Sequence, residues 1–246
     1  MPTYTKPKSI VGTTEYCGGC GHGIIQRLIT ECIEELGLQD QVIGVVDIAC
    51  SYWSLDALDY DMIAGPHGRL AAVATGIKKV RPESTVYVHA GDGCSYVIGL
   101  SETCFAAIRD IPITMIVANN GIFGMTGGQM NLATTLIGDK TVSSKNGRNA
   151  ETMGHPVDML NVMKQFDVEF LARGALYDIR HIDETKRYIK KAFENQRDKK
   201  GFSLVEVLSP CPTNWKMSPV QAMEKIKNEN EKVFPLGVYT DRGGEK

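Results

Sequence analysis

The sequence predicts an α/β protein with a doubly wound, mostly parallel sheet and helices on both faces of that sheet. Two observations support this prediction. Short β-branched runs such as 42–46 lack the alternation of a half-exposed strand, which is typical of strands buried on both faces. Between these runs, apolar residues recur at helical spacing. In folds of this kind, ligand sites gather at the carboxyl ends of the strands.

The predicted elements alternate along the chain after a polar N-terminal stretch. The first helix covers 21–36, because its apolar residues fall on one helical face and Gly37 is a natural stop. Further helices are predicted at 68–79, 100–109, 157–166, 183–195 and 222–232. Strands are predicted at 42–46, 85–89, 113–118, 170–172 and 202–207. The tract 119–148 is rich in Gly, Asn, Thr and Ser, and loops of such length are usually functional.

Composition and length limit the class of protein. The 246 residues suit one sizeable domain, and 43% apolar and 23% charged residues are ordinary for a globular protein. We expect a single domain over 1–246, with an N-terminal arm (1–20) and a C-terminal tail (about 218–246). A net charge of −2 gives no basic surface for nucleic acid. No apolar run suggests a membrane span or signal peptide, so we expect a cytoplasmic protein without membrane partners.

The tripeptide Gly91-Asp92-Gly93 ends a predicted strand. Glycines there let the backbone approach a phosphate, and the carboxylate of Asp92 is a hard ligand for a divalent ion. Alone, the tripeptide also fits an ordinary strand-to-helix turn. However, one helix and one strand fit within 94–118, so Asn119-Asn120 reaches the same edge of the sheet. With the Asn120 side chain and the Ile122 carbonyl as further ligands, the pattern matches the motif of thiamine-diphosphate enzymes.

The seven cysteines are an odd number in a long chain, which does not indicate a disulfide framework. The pair Cys17-Gly18-Gly19-Cys20 could hold zinc, an iron–sulfur cluster or a redox disulfide. It follows a polar arm, unlike a thioredoxin motif, and no second close pair is present for zinc.

The single cysteines fall into two groups. Cys32 and Cys104 lie in helical patterns typical of core residues, and Cys94 directly follows the metal motif as a cofactor neighbour or spacer. The thiols left outside amphipathic helices are those of Cys17, Cys20, Cys50 and Cys211. Four thiols from loops suit a 4Fe–4S cluster, which stays a hypothesis on this pattern alone.

Several blocks of sequence, in order, resemble the β subunits of 2-oxoacid:ferredoxin oxidoreductases over nearly the full length. The blocks are 17–23 (CGGCGHG), 67–69 (HGR), 74–78 (ATGIK), 91–93 (GDG), 119–120 (NN), 125–129 (MTGGQ), 202–207 (FSLVEV) and 211–215 (CPTNW). The last block is most similar to the branched-chain, 2-oxoisovalerate branch of that family.

The resemblance implies a thiamine-diphosphate-binding fold and assigns site residues. The implied ligands of a 4Fe–4S cluster are Cys17, Cys20, Cys50 and Cys211, and those of Mg²⁺ are Asp92, Asn120 and the Ile122 carbonyl. The implied cofactor-contacting residues are Ile48, Ala49, Cys50, Ser51, His67, Gly91, Gly93, Cys94, Gly124 and Met125.

Two histidines in glycine-rich settings, His22 and His67, are the candidate catalytic residues, with a purely structural role as the alternative for each. The other three histidines, His89, His155 and His181, are interpreted as structural or surface residues. One departure from the family pattern is Tyr52-Trp53, where a small and a cationic residue often stand. These aromatic rings suit either an apolar substrate tail or a partner subunit.

The resemblance also implies an activity: CoA-dependent oxidative decarboxylation of a 2-oxoacid to an acyl-CoA and CO₂, with electrons passed through the cluster to ferredoxin, as in anaerobic metabolism. A branched-chain acid of the 2-oxoisovalerate type is the expected substrate, and 2-oxoglutarate is the alternative. Activation of the cofactor requires a glutamate from a second domain, for which this chain has no room. An α subunit with the pyrimidine-binding domain is therefore the expected partner, with γ and δ subunits for CoA and further clusters.

Two other functions remain open from the sequence. A non-oxidative thiamine-diphosphate decarboxylase or synthase explains the metal motif but leaves four loop cysteines without a role. An electron-transfer or scaffold subunit with a vestigial cofactor site explains the cysteines but not the intact Asp92 and Asn120.

Overall fold

The computed structural model describes residues 5–244. Its main strands are β1 (Val42–Asp47), β2 (Asp61–Gly65), β3 (Thr85–Gly91), β4 (Thr114–Asn119), β7 (Phe170–Ala175), β8 (Ser203–Leu208) and β9 (Gly237–Asp241). They form one seven-stranded sheet in the order β2-β1-β3-β4-β8-β7-β9. All neighbours pair in parallel except β7 and β9, which pair antiparallel. The predicted doubly wound, mostly parallel sheet is confirmed.

Helices cover both faces of this sheet. They are α1 (Gly21–Glu35), α2 (Leu70–Val80), α3 (Leu100–Ile108), α4 (Ala150–Met153), α5 (Met159–Met163), α6 (Ile179–Arg197), α7 (Pro212–Trp215), α8 (Pro219–Lys225) and α9 (Glu231–Val233). α1 and α6 pack on the face that contains Tyr87 and Ile116. α2, α3 and α5 pack on the opposite face, which contains Val86 and Met115. Every residue of β1, β4, β7 and β8 is buried, which explains why these strands lack the apolar–polar alternation of half-exposed strands.

Several elements differ from the sequence prediction. The strands β2 and β9 were not predicted, because both are partly exposed edge strands without an apolar run. The tract predicted as an aperiodic loop contains a small hairpin, β5 (Ile122–Phe123) paired with β6 (Gln129–Met130). The helix predicted at 157–166 is only α5, whereas α6 begins four residues earlier than predicted and ends two later.

The two terminal segments both pack on the sheet layers. In the arm, Ile10 forms a β-bridge with Leu58, and the Ser9 amide donates to Glu34 at 2.7 Å. Residues 1–4 of the predicted arm and residues 245–246 of the predicted tail lie outside the described residues. The remainder of the tail carries α8, which begins with a capping box at Ser218, and ends in β9. Within 5–244, no helix combines the length and apolar character needed to cross a membrane.

Candidate functional site

A cavity opens at the carboxyl edge of the sheet, between the segments that follow β1, β2, β3 and β4. Its lining residues are His22, Asp47, Ala49, Cys50, His67, Gly91, Asp92, Gly93, Cys94, Asn120, Ile122, Phe123, Gly124 and Met125. Most residues that the sequence predicted for the cofactor and Mg²⁺ site therefore line this one cavity. Of the implied cofactor-contacting residues, two are not in the lining: Ile48 is 60% exposed, and Ser51 is buried, where its hydroxyl accepts a hydrogen bond from the Asp47 amide at 3.1 Å. Of the implied cluster ligands, Cys17, Cys20 and Cys211 lie outside the lining.

Asp92 lies fully buried at the start of the turn that follows β3. Its carboxylate accepts hydrogen bonds from the amides of Gly93 (2.9 Å) and Gly121 (2.8 Å) and from the hydroxyl of Thr134 (2.5 Å). Burial raises the pKa of Asp92 to about 7, although these hydrogen bonds favour the charged form. Among residues 5–244, the carboxylate is thus oriented by neutral donors, and no cation pairs with it.

Two further oxygen donors come from the segment after β4. The Asn120 side-chain oxygen accepts from the Ile122 amide at 3.2 Å, and both residues are nearly buried. The Asn120 carbonyl is engaged by the indole N–H of Trp215 at 3.1 Å, which ties this segment to α7. Because Gly91 pairs with Ala118 across β3 and β4, the sheet register holds the two segments side by side.

A glycine is required at position 93 by packing. A Cβ there would lie 2.7 Å from Cδ1 of the Phe123 ring, closer than side chains tolerate. The backbone of the 91–93 turn is therefore bare toward the cavity, as close approach by a phosphate requires.

The loop 131–155 contributes residues that the sequence did not reveal. Thr134 donates to Asp92, as described above, and Thr135 donates to the Gly121 carbonyl. Arg148 is buried and its guanidinium donates to the carbonyls of Leu132, Thr135, Met153, Gly154 and His155. Arg148 thus fixes the loop that carries Thr134. The only sequence signal was the loop's length and its threonines.

Four cysteines from three separate chain segments approach each other beside the cavity. The Gly21 amide donates to the Pro210 carbonyl at 3.1 Å, which brings the Cys17–Cys20 pair to Cys211. A Cβ on Gly124 would lie 3.4 Å from Sγ of Cys50 and 3.9 Å from Sγ of Cys211. All seven cysteines have free thiols. We call Cys17, Cys20, Cys50 and Cys211 the cysteine group.

The thiols of the cysteine group interact electrostatically. Burial, with added repulsion from the other cysteines of the group, raises the pKa of Cys20 to about 12 and that of Cys50 to about 11. Burial raises the pKa of Cys211 as well, and Asn214 opposes this with a hydrogen bond to its sulfur at 3.5 Å. The remaining cysteines differ: Cys32 is fully buried and Cys104 half-buried, each among the core residues.

Asp47 and His67 form a second polar pair in the cavity. Asp47 is fully buried, and its two carboxylate oxygens lie 2.7 and 2.8 Å from Nδ1 of His67. Together with the thiol of Cys94, their ligand atoms all lie within 4.8 Å of one another. Asp47 was not among the residues that the sequence indicated, because a lone aspartate at a strand end carries no motif.

His22 also lines the cavity and forms a buried pair with His89. Nδ1 of His22 and Nε2 of His89 are 3.0 Å apart, and both rings are buried. Burial lowers the pKa of His22 to about 4 and holds that of His89 well below its usual value. The ring of Tyr16 stacks on His22 at 5.8 Å. His89 is thus buried next to a candidate site residue, whereas His155 is exposed and His181 lies on α6.

Comparison with known proteins defines the class of this site. A family model described as "Thiamine pyrophosphate enzyme, C-terminal TPP binding domain" matches residues 47–207, from the end of β1 to β8. The fold also superposes on a 2-oxoglutarate:ferredoxin oxidoreductase from Magnetococcus marinus, with a TM-score of 0.77, 23% identity, and coverage of 99% of this chain and 87% of that one. A thiamine diphosphate-dependent 4-hydroxybenzoylformate decarboxylase from Rhodococcus jostii is more distant, with a TM-score of 0.52, 17% identity, and coverage of 80% and 34%. The protein therefore has a thiamine-diphosphate-binding domain.

Relatives by sequence identify the family within this class. The ketoisovalerate oxidoreductase subunit VorA of Methanothermobacter thermautotrophicus is 40% identical over 94% of this chain and 49% of its own length. The 2-oxoglutarate synthase subunit KorB of Archaeoglobus fulgidus is 35% identical over 87% of this chain and 76% of its own length. The chain belongs to the 2-oxoacid:ferredoxin oxidoreductase β-subunit family, which confirms the resemblance seen in its sequence. It spans about half the length of the VorA relatives.

Proposed function

We propose that this chain is the β subunit of a 2-oxoacid:ferredoxin oxidoreductase that decarboxylates a 2-oxoacid oxidatively, transfers the acyl group to CoA and passes electrons to ferredoxin. One observation carries the proposal. A buried set of oxygen donors at the 91–93 turn and a group of four thiols lie at the same edge of one sheet, on either side of Gly124. When bound, thiamine diphosphate supplies the carbanion-stabilising chemistry and a cluster accepts single electrons.

The residues at the 91–93 turn fit Mg²⁺ and a diphosphate. The Asp92 carboxylate, the Asn120 side-chain oxygen and the Ile122 carbonyl are hard oxygen donors, the ligands that Mg²⁺ prefers. Asp92 is buried with a raised pKa, so a divalent ion would supply the charge that its burial leaves uncompensated. Gly91 and Gly93 let the phosphates approach the backbone of the turn closely, and Cys94 follows directly after it.

The cysteine group fits an iron–sulfur cluster better than zinc. Four thiolates around one zinc ion would have sulfurs about 3.8 Å apart, because each Zn–S bond is about 2.3 Å. Among residues 5–244, the only set of three or more potential ligand atoms all within 4.8 Å is Asp47, His67 and Cys94. The four sulfurs are therefore spread more widely than zinc allows, as a larger cluster requires. Deprotonation of such thiols needs a metal to offset their raised pKa values.

The remaining cavity residues receive proposed roles from their positions. Ala49, Gly124 and Met125 line the cavity together with Cys50 of the cysteine group, and we propose that these four residues would contact the cofactor. Ile48 and Ser51 flank that contact, and Ser51 acts through its hydrogen bond to Asp47 rather than from the lining. His22 and His67 both line the cavity and are the proposed catalytic histidines. We also propose that 1–246 act as one thiamine-diphosphate-binding domain.

Partner subunits complete the proposed enzyme. The relatives are named as subunits, and this chain covers 49% of one and 76% of another. We propose that an α subunit provides the pyrimidine-binding domain and its activating glutamate, with γ and δ subunits for CoA and electron transfer. The chain purified alone should show no decarboxylase turnover, and turnover by the lone chain would contradict this division of the site.

The proposed substrate is a branched-chain 2-oxoacid, with 2-oxoglutarate as the alternative. A subunit named for ketoisovalerate is 40% identical and one named for 2-oxoglutarate 35% identical. The aromatic pair Tyr52 and Trp53 directly follows Cys50 and Ser51, with ring centroids 6.0 Å apart, and offers apolar surface near the cavity. A panel of 2-oxoacids assayed on the anaerobic complex tests this order, and a marked preference for 2-oxoglutarate would reverse it.

Analysis of bound groups tests the proposal as a whole. The complex with its partner subunits is purified anaerobically, and iron, acid-labile sulfide, magnesium and thiamine diphosphate are quantified. Cluster and cofactor together support the proposal. Cofactor without iron would indicate a non-oxidative thiamine-diphosphate enzyme, and iron without cofactor would indicate an electron-transfer subunit.

A further inference from the structure

The carboxylate of Asp47 is buried at the end of β1 and is not explained by the fold. Asp47 pairs in register with Gly65 of β2, so its side chain lies beside the segment that leads to His67. Both carboxylate oxygens lie within 2.8 Å of Nδ1 of His67, and among the described residues no cationic Lys or Arg pairs with it. A buried carboxylate that contacts one ring nitrogen and no other cation is costly to the fold, which indicates a role for the pair.

His67 is anchored against the proposed diphosphate turn from two sides. The amide of the next residue, Gly68, donates to Sγ of Cys94 at 3.2 Å, directly after the 91–93 turn. Phe123 packs edge-on to the His67 ring with centroids 6.1 Å apart, and the same Phe123 ring packs on Gly93. His67 is thus a neighbour of the turn where the diphosphate is proposed to bind.

The two nitrogens of His67 have different surroundings. Nδ1 is engaged by Asp47, and the ring geometry directs Nε2 away from that carboxylate. The side chain is 31% exposed, lines the same cavity as Asp92 and Asn120, and has no second hydrogen bond within the described part of the chain. A carboxylate on Nδ1 fixes the position of the ring proton and leaves the other nitrogen for a ligand.

We propose that Asp47 is a positioning residue for His67: it holds Nδ1 and so directs Nε2 toward the cavity, where Nε2–H donates a hydrogen bond to a phosphate oxygen of thiamine diphosphate. This inference rests on the proposed function, since it assigns a second contact to the same cofactor. In this proposal Asp47 acts through His67. Its carboxylate offsets the charge of the imidazolium, which binds a phosphate oxygen more strongly than a neutral ring does.

A double-mutant cycle on the assembled complex tests the inference. The affinities of thiamine diphosphate and of inorganic pyrophosphate are measured by calorimetry with saturating Mg²⁺ for the wild type, Asp47→Asn, His67→Gln and the double variant. Each single change should weaken both ligands about 10-fold, the scale of a lost orienting contact. The double variant should bind no more weakly than either single variant, because both remove the same interaction. Additive losses, or unchanged affinity in Asp47→Asn, would overturn the inference.

Two controls separate this inference from other failures. Asp198→Asn removes a carboxylate at the exposed end of α6, which pairs with Arg197 and does not line the cavity, so its affinity for pyrophosphate should stay within about 2-fold of the wild type. If the wild-type complex binds neither ligand, the proposed function itself fails, whereas normal binding with an unaffected Asp47→Asn variant refutes only the role of Asp47.

A measurement on the wild type needs no variant to fold. In ¹⁵N-histidine NMR spectra of the complex, the Nδ1 atom of His67 should carry a proton before ligand is added. Addition of Mg²⁺ and pyrophosphate should shift the Nε2 resonance and leave that of Nδ1 nearly unchanged. An Nδ1 atom without a proton, or a shift confined to Nδ1, would contradict the assignment.

Discussion

The 91–93 turn and the cysteine group lie at one edge of the sheet, yet the chain builds them differently. At the turn, every oxygen of Asp92 already accepts hydrogen bonds from buried groups, and the register of β3 with β4 places Asn120 beside it. The cysteine group draws on three distant segments, and Cys17 is exposed while Cys20 and Cys50 are half-buried. The turn is therefore preformed by the sheet. The cysteine group depends on loops, and a bound cluster would complete its organisation.

The largest effect is expected in the cysteine group. Cys211→Ser should abolish the cluster, because a serine hydroxyl does not replace a thiolate ligand. Iron and sulfide analysis with the visible absorption spectrum measures the loss, and Cys50→Ser should behave alike. Cys104→Ser, in α3, is the matched control and should keep its cluster. A Cys211→Ser protein with full iron content would show that this thiol is no ligand.

The next effect concerns Asp92 at the turn. Asp92→Asn keeps the size of the side chain but removes its charge, so binding of Mg²⁺ and thiamine diphosphate should weaken at least about 100-fold. Calorimetry on the complex measures the affinity, and Asp198→Asn at the exposed end of α6 serves as the control. If the turn and the cysteine group are independent, this variant should retain its iron. Loss of iron would show that the two regions assemble together.

A smaller loss of affinity is expected from a change at Thr134, and it tests whether the turn is preformed. Thr134→Val removes the hydroxyl that donates to Asp92 but keeps the shape of the side chain. The affinity for Mg²⁺ with thiamine diphosphate should fall about 10-fold, since a group that orients a metal ligand contributes on that scale. Thr141→Val, in the same loop but away from Asp92, is the control. Equal affinity in both variants would mean that Asp92 is held without Thr134.

The smallest effect is the pH dependence of the buried histidine pair. Burial holds the pKa of His89 well below its ordinary value of 6.5. The unfolded chain therefore binds a proton below pH 6.5 that the folded chain does not, so stability is fully present above that pH and is lost as the pH falls. The raised pKa of Asp92 has the opposite effect on stability, which rises as the pH falls. Asp92 is present in both the wild type and the His89→Gln variant, so its effect cancels when the two are compared.

The comparison is between the wild type and His89→Gln. The difference between their free energies of unfolding should shrink as the pH is lowered below about 6. It should shrink by about 1.4 kcal/mol for each pH unit. Denaturant titrations at several pH values measure this difference. Parallel pH profiles of the two proteins would show that His89 is protonated in the folded chain.

Most strands of the sheet could be predicted from the sequence alone, because the central strands are buried on both faces. Strands such as β1 and β4 read as unbroken apolar runs, whereas the edge strands β2 and β9 do not and were missed. The helix predicted at 222–232 is present within a continuous helical segment over 219–233, in which a π-helical turn joins α8 to α9, but the tail also contains β9, which was not predicted. Its last strand is held by pairing with β7, a long-range contact that local pattern does not encode.

For the site, the sequence by itself predicted that the 91–93 turn and Asn120 lie at one edge of the sheet, because spacing along a strand–helix–strand unit fixes which residues meet there. The C-x-x-C pair was predicted as a ligand pair from its own spacing. Only the tertiary structure decided the rest. It brought Cys50 and Cys211 to Gly124, placed Thr134 and Arg148 behind Asp92, and joined Asp47 to His67. These contacts join residues far apart in the chain, and lone polar side chains carry no periodic signal. Their partners are set by how the loops pack, which depends on the whole fold.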